Sequence, residues 1–330
     1  TVSIQDDELA VATFTTTAPI VAGSPTATEG TNASVDITAT LDYSKSFDTS
    51  IGLTISGTAS AGVDYTSTDD GYLSEVDFSG MDRVYGLVID ASGNYYASSS
   101  GNSNRYIYKM TSGGDNTVTK IGDGAHGAFT TSPSTGSSSK FKDIRDMDMD
   151  SSGKIYFIDQ YAIRMMDPSN ERIYYIAGSN DWNESIVPSG SGTAVNSTDS
   201  RFRYPKGIAV NPAGTIIYVT DQNVIRKIYT NDSDNLFTNS SLEDFTNIKV
   251  VNVANVNDTW GRENGNAASA SFYDPRAIDI DSNGDLIIAD NEGIRKLTVC
   301  SASGNPQVTS LVDKGWDNKY SFILGLGNNK

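Results

Sequence analysis

Residues 202–228 read FRYPKGIAVNPAGTIIYVTDQNVIRKI, and this stretch decides the fold. Ile208 and Val210 alternate with small residues ahead of a Pro-Ala-Gly turn that ends at Gly214. A second apolar run follows and ends at Asp221, and a third run closes on Ile228. Alternation marks half-buried strands, and a glycine permits the positive φ that a tight turn needs. The stretch therefore predicts three short antiparallel strands.

The same pattern recurs in residues 272–297, more loosely in 141–166 and 81–110. The turn glycines of the four copies are Gly93, Gly153, Gly214 and Gly284. Spacing of about 60 to 70 residues indicates a repeat architecture. Each unit adds an outer strand, predicted at residues 72–78, 118–121, 173–176, 250–253 and 308–311. Four strands per unit are typical of a propeller blade, so we predict an all-β chain whose residues 72–330 form a β-propeller of five or six blades, the last cut short if its strands lie beyond residue 330.

The composition limits the classes of partner. A net charge of −17 and a pI near 4.3 would repel a nucleic-acid backbone, so no nucleic-acid partner is expected. The sequence has no apolar run of about 18 residues, so no membrane insertion is predicted. Cys300 is the only cysteine in the sequence, and an internal disulfide is therefore excluded.

Residues 1–71 read as short strands of a small β-sandwich. Glu29-Gly30, Gly57-Thr-Ala, Gly62-Val-Asp-Tyr65 and the terminal Ile4-Gln-Asp-Asp resemble the Calx-beta module. The first nine residues resemble the end of a preceding module, so neighbouring modules of one long chain are expected. The resemblance implies a calcium site in which Glu29 and Asp64 lie near a module end, where Asp6 and Asp7 could join them. The alternative is a solvated end of the sandwich.

The propeller units resemble NHL repeats, and residues 202–228 give the closest match, with Pro205-Lys-Gly-Ile-Ala-Val, Tyr218, Asp221 and Ile225-Arg-Lys-Ile. Arginine recurs at one phase of three units, and each arginine follows an aspartate by five residues. We predict that these residues form structural ion pairs within each blade: Asp159 with Arg164, Asp221 with Arg226, and Asp290 with Arg295.

Residues 279–290 fit the spacing of an EF-hand calcium loop, and residues 148–159 nearly fit it. An EF-hand needs flanking helices, whereas these flanks are β-branched, and the copy at Asn211-Pro212 could not ligate in that way. We therefore predict ordinary hairpin turns. A propeller lyase that depends on histidine-bound zinc is excluded by the single histidine, His126. A calcium-dependent hydrolase or lyase, similar to a lactonase, is the alternative function.

The leading hypothesis is a non-enzymatic segment of a large bacterial adhesin, extracellular and either secreted or anchored at the cell surface. The propeller would act as a binding or spacer module in contact with glycans or surface proteins, because polar loops separate the units and loops commonly carry binding residues. Trp182, Trp260 and Trp316 lie in such loops and are the candidate binding residues. The alternative is that these tryptophans pack at blade edges.

Overall fold

A computed structural model describes residues 83–313, apart from 101–104, 112–117, 129–131, 182–192, 231–246, 292 and 300–304. Within the first 82 residues it describes six short strands. The chain divides into two compact units, Thr1–Ser74 and Glu75–Lys330. The boundary predicted after residue 71 stays a prediction, because it lies outside the described residues.

The strands of the first unit form three antiparallel pairs. Ser3–Ile4 pairs with Ile51–Gly52, Ala12–Thr16 with Ile37–Leu41, and Ile20–Val21 with Ser24–Pro25. The predicted calcium ligands Asp6, Asp7, Glu29 and Asp64 lie outside the described residues. The Calx-beta resemblance and its calcium site therefore stay predictions.

In the described part of the second unit there are four antiparallel sheets, numbered blades 1 to 4 along the chain. In each blade, the first long strand is called the inner strand and the last the outer strand. Blade 1 consists of Val84–Ile89, Tyr95–Ser100, Arg105–Met110 and Val118–Gly124. Blade 2 has Ile144–Met149, Ile155–Asp159, Ala162–Asp167 and Arg172–Gly178. Blade 3 has Pro205–Val210, Ile216–Asp221, Val224–Thr230 and Ile248–Ala254. Blade 4 has Ala277–Ile280, Leu286–Asp290, Gly293–Thr298 and Gln307–Asp313.

The long strands of each blade pair in sequence order, as in a meander. This arrangement confirms the predicted repeat, including the outer strands at residues 118–121, 173–176, 250–253 and 308–311. The predicted strand at residues 72–78 lies outside the described residues. The structure describes four blades, so the total of five or six stays a prediction.

The segments between blades differ from the prediction of plain surface loops. In blades 2, 3 and 4 a two-residue strand returns to pair with the outer strand, which gives a five-stranded sheet. These short strands are Ser134–Thr135, Val195–Asn196 and Gly265–Asn266, and the 3₁₀ turns Gly136–Ser138 and Ser197–Asp199 follow the first two. Ser200, Ala267 and Ala270 are buried here, so part of each connection belongs to the blade edge.

The core lies between blades. One apolar cluster joins blades 2 and 3, where Ile158 and Ile163 pack with Ile208 and Val210. Similar clusters join blade 3 to blade 4 and blade 1 to blade 2. Sheets that bury their faces against neighbouring sheets are the packing of a propeller.

The EF-hand-like stretches are hairpin turns, as predicted. In blade 4, the Asp281 carboxylate accepts the backbone N–H groups of Asn283 and Asp285. The equivalent residues Asp90, Asp150 and Asn211 accept backbone N–H groups in the same way. An aspartate or asparagine that caps its own turn explains why asparagine can replace aspartate at this position.

Candidate functional surface

The predicted aspartate and arginine pairs are present in all three blades that carry them. The distances between Nη1 of the arginine and Oδ2 of the aspartate are 2.8 Å for Arg164 and Asp159, 2.9 Å for Arg226 and Asp221, and 3.4 Å for Arg295 and Asp290. All six side chains are at most 2% exposed. Burial lowers the pKa of the Arg226 guanidinium, and the charge of Asp221 opposes this shift.

These pairs also fix the start of the inner strand. Asp221 Oδ1 accepts the backbone N–H groups of Arg203 and Tyr204, each at 2.8 Å. Arg226 donates to the carbonyl oxygen of Arg201, and its guanidinium carbon lies 4.2 Å from the centroid of the Phe202 ring. Blade 2 repeats these contacts. In blades 2 and 3 the pair is therefore the anchor that holds the connection where it enters the blade.

The anchored connections lie at one edge of the propeller, called here the upper rim. At this edge the inner strand begins and the second and third strands turn. The backbone N–H of Gln222 donates to the carbonyl of Tyr204, and Asn291 donates to the carbonyl of Tyr273. Equivalent contacts in blade 2 show that the arrangement repeats, since Gln160 donates to the carbonyl of Asp143.

In blade 3, residues 255–261 form a tightly bonded loop on the upper rim. The buried Asn255 donates its side-chain amide to the carbonyl of Asn223 at 2.8 Å and accepts the N–H of Thr259 at 3.0 Å. The backbone N–H of Gly261 donates to the carbonyl of Phe272 at 3.1 Å. Hydrogen bonds on both sides of Trp260 therefore fix the loop that carries it.

Trp260 is 75% exposed on this fixed loop. Its ring centroid lies 5.7 Å from that of Tyr273, with a 53° angle between the ring planes. Tyr273 and Tyr204 are 40% and 41% exposed. Trp260 thus lies in the connection between blades 3 and 4, and its ring contacts that of Tyr273. Its role in binding stays a prediction. Trp182 and Trp316 lie outside the described residues.

Charged groups surround the aromatic pair. Asp274, which follows Tyr273, accepts from Lys206 of blade 3 and from Arg276, two residues further along the chain. Burial alone would raise the pKa of Asp274, but the hydrogen bonds and charges of Lys206 and Arg276 outweigh it and lower the pKa. Asp258 accepts from Asn223 at 3.1 Å and from Arg203 at 3.4 Å. The rim between blades 3 and 4 is thus a polar network around an aromatic pair.

A second acidic position joins the inner strands of blades 2 and 3. Asp146 Oδ2 accepts the backbone N–H of Ile208 at 3.0 Å, and Asp148 Oδ2 accepts that of Val210 at 2.7 Å. Part of the Asp146 surface remains exposed, yet protein atoms surround its carboxylate closely. Burial raises its pKa to about 7, assisted by the charge of Asp148, although the N–H groups of Ile208 and Met147 oppose the shift.

No group of three or more histidine, cysteine, aspartate or glutamate side chains comes together among the residues that the structure describes. His126 is exposed and forms a backbone bridge with Phe141, at the position that Trp260 holds opposite Phe272. In the described part of the chain, no helix has the length and apolar character needed to cross a bilayer.

Sequence reasoning did not find Tyr204 and Tyr273, or the cations beside them. Their proximity depends on which connections the backbone brings to one edge. The three cations could have been found from the sequence, because each precedes the turn residue of its blade by five positions. They are Arg145, Lys206 and Arg276.

The meander sheets, the repeated anchors and the packing between blades define a β-propeller of the NHL type. Residues 75–245, just over half of the chain, match the family model of the Teneurin NHL domain. The chain therefore belongs to this family.

Several curated relatives match a smaller part of the chain. Mouse Teneurin-3 is 37% identical over 87 residues, which are 26% of this chain and 3% of that protein. Human Teneurin-1 is 34% identical over 87 residues, with the same coverage. Zebrafish (Danio rerio) Teneurin-3 is 28% identical over 158 residues, which are 47% of this chain and 5% of that protein. The matches thus span only a small fraction of each relative.

Among solved structures, an auxiliary nutrient binding protein from Bacteroides ovatus matches with a TM-score of 0.46 and 14% identity, covering 70% of this chain and 47% of that one. A gluconolactonase from Xanthomonas campestris matches with a TM-score of 0.40 and 12% identity, covering 69% and 61%.

Proposed function

We propose that the chain is a non-enzymatic binding module of a longer extracellular protein, with its propeller in contact with a glycan or protein partner through the upper rim around Trp260. The observation that carries the proposal is the combination of a fixed loop and a tryptophan that is 75% exposed. Exposing so large an apolar side chain is unfavourable in water. A rigid presentation also lowers the entropy lost when a partner binds.

The proposal also covers the location of the protein and its neighbouring modules. A net charge of −17 suits solubility outside the cell, and the Calx-beta-like start suits a modular surface protein such as a bacterial adhesin. Calcium bound by that first unit, and contact with neighbouring modules of the same chain, belong to the same proposal. The spacer role is its simplest form, in which the rim contacts only those neighbours.

The test is a screen of the full chain on glycan arrays and on intact cells, with three proteins in parallel. These are the wild type, Trp260→Ala and a control, Ile89→Ala, which trims a 55% exposed side chain on the inner strand of blade 1. Binding by the wild type and the control but not by Trp260→Ala supports the proposal. Binding that all three proteins share would place the contact elsewhere. Silence of all three on every surface would leave only the spacer role.

An activity assay distinguishes this proposal from the alternative of a calcium-dependent hydrolase or lyase. The full chain, incubated with a panel of lactones and calcium, is expected to leave them unchanged beyond a buffer control. Turnover that disappears on chelation would overturn the non-enzymatic proposal.

A further inference from the structure

The upper rim carries a row of cations where successive inner strands begin, five positions before the turn residue of each blade. Arg145 and Lys206 hold this position in blades 2 and 3, Arg276 holds it immediately before the inner strand of blade 4, and Tyr85, 48% exposed, holds it in blade 1. Because the inner strands of successive blades pack against one another, the row follows the inner edge of the rim. A chain with a net charge of −17 thus presents consecutive cations on one surface.

Each cation of this row contacts a carboxylate. Arg145 Nε lies 2.8 Å from Asp143 Oδ2, while Lys206 and Arg276 share the single carboxylate of Asp274. Lys206 and Arg276 therefore divide one carboxylate between them in these contacts.

Arg276 is the cation best placed to bind an anion. Its Nε and Nη2 lie 3.0 Å and 2.8 Å from Asp274 Oδ2, so both contacts use one edge of the guanidinium. A guanidinium has five N–H donors in a planar fork, and the remaining edge can hold a carboxylate through two hydrogen bonds. The Arg276 side chain is 55% exposed.

The exposed aromatic pair is linked to this cation through Asp274. Tyr273 immediately precedes Asp274, the residue that binds Arg276, and its ring contacts Trp260. The large apolar side chains exposed on this part of the rim are all aromatic: Tyr204, Trp260 and Tyr273. Within the described residues, the exposed aliphatic ones lie on the inner strand of blade 1 and the outer strand of blade 4. Aromatic rings bordered by charged and amide groups suit a sugar, whose C–H face stacks on a ring while its polar groups form hydrogen bonds.

We propose that Trp260, Tyr273 and Arg276 form a site for an acidic sugar, meaning a pyranose that carries a carboxylate. The inference rests on the proposed function and specifies its ligand. The sugar ring stacks on the aromatic pair, and its carboxylate binds the remaining edge of Arg276, with Lys206 adding positive charge nearby.

The experiment uses matched oligosaccharides that end either in glucuronic acid or in glucose, titrated calorimetrically into the full chain. The two sugars differ only in the carboxylate, so their affinity ratio measures its recognition. We expect the acidic sugar to bind at least about tenfold more tightly, as charge-assisted hydrogen bonds imply. Arg276→Gln should abolish this preference, and Trp260→Ala should weaken the binding of both sugars. Arg172→Gln is the matched control, because Arg172 is an exposed arginine on the outer strand of blade 2. This variant should change neither the preference for the acidic sugar nor the affinity for either sugar.

Equal binding of the two sugars, or a preference that survives Arg276→Gln, would overturn the inference. If sugar binding still required Trp260 in either case, the proposed function would stand. A partner that proves to be a protein bound through Trp260, with no sugar bound, would also overturn the inference alone. Absence of binding to any glycan or cell surface would overturn the inference and the proposed rim contact together.

Discussion

Removal of the buried Asp221 carboxylate should destabilise the propeller strongly. In Asp221→Ala, the guanidinium of Arg226 loses a carboxylate 2.9 Å away while both positions remain fully buried. Breaking a buried pair by removing one partner costs about 3–5 kcal/mol. The backbone N–H groups of Arg203 and Tyr204 also lose their acceptor, which adds about 1 kcal/mol each. The sum approaches the whole stability of an ordinary domain, about 5–15 kcal/mol.

Urea unfolding, followed by circular dichroism, measures this cost. Asp221→Asn retains an acceptor oxygen for the two N–H groups, so it should lose only part of the stability, about 2–3 kcal/mol. The double variant Asp221→Ala/Arg226→Met should be more stable than Asp221→Ala, because no unpaired charge remains buried.

The control is Asp143→Asn, in a pair of similar length whose side chains are 24% and 32% exposed, and it should cost about 1 kcal/mol or less. A loss for Asp221→Ala as small as that of the control would refute the role of the pair as an anchor.

Three further predictions concern the turns, the inner strands and the first unit. Gly214→Ala should lower the melting temperature more than Gly284→Ala. Both glycines have positive φ, but a Cβ at Gly214 would collide with Asp150 Oδ2 of the neighbouring blade, whereas one at Gly284 meets nothing within 4 Å. Equal losses would exclude this contact as the cause. The pKa of Asp146, about 7 when folded and near 3.8 when unfolded, means that the folded state retains a proton between these values. Its contribution to the free energy of unfolding should fall as pH rises from 4 to 7, and urea titrations of Asp146→Asn should lack this slope; an unchanged slope would show that other groups cause it. Calcium added to the chelated full chain should release or absorb heat and raise its melting temperature, and Asp64→Asn should weaken both effects; no response in the wild type would remove the predicted site.

Most of the propeller could be predicted from the sequence. The turn glycines and the alternation around them repeat at a regular spacing, so the long strands could be placed before any contact was known. The anchors could be predicted because aspartate and arginine recur at the same phase, as in Asp221 and Arg226. Comparison of copies also identified the acidic turns as hairpins, since Asn211 replaces an aspartate there.

The remaining features depend on contacts that no short sequence pattern encodes. The edge strand Gly265–Asn266 is two residues long, too short for alternation to mark it. The pairing of Trp260 with Tyr273 follows from a backbone bridge between Trp260 and Phe272, which forms only when the connection folds back on blade 4. The loop tryptophan could therefore be predicted from sequence, whereas its aromatic neighbour and the adjacent Arg276 could not.

Affinity of the full chain for a captured glycan or cell-surface partner, compared between the wild type and Trp260→Ala, tests the central claim most directly. An exposed tryptophan at the centre of a contact contributes about 2 kcal/mol or more, so the variant should bind at least about 30-fold more weakly. Its melting temperature should stay close to that of the wild type, since Trp260 is 75% exposed and leaves the apolar clusters between blades intact. Equal affinity of the two proteins would contradict a binding role for the upper rim around Trp260.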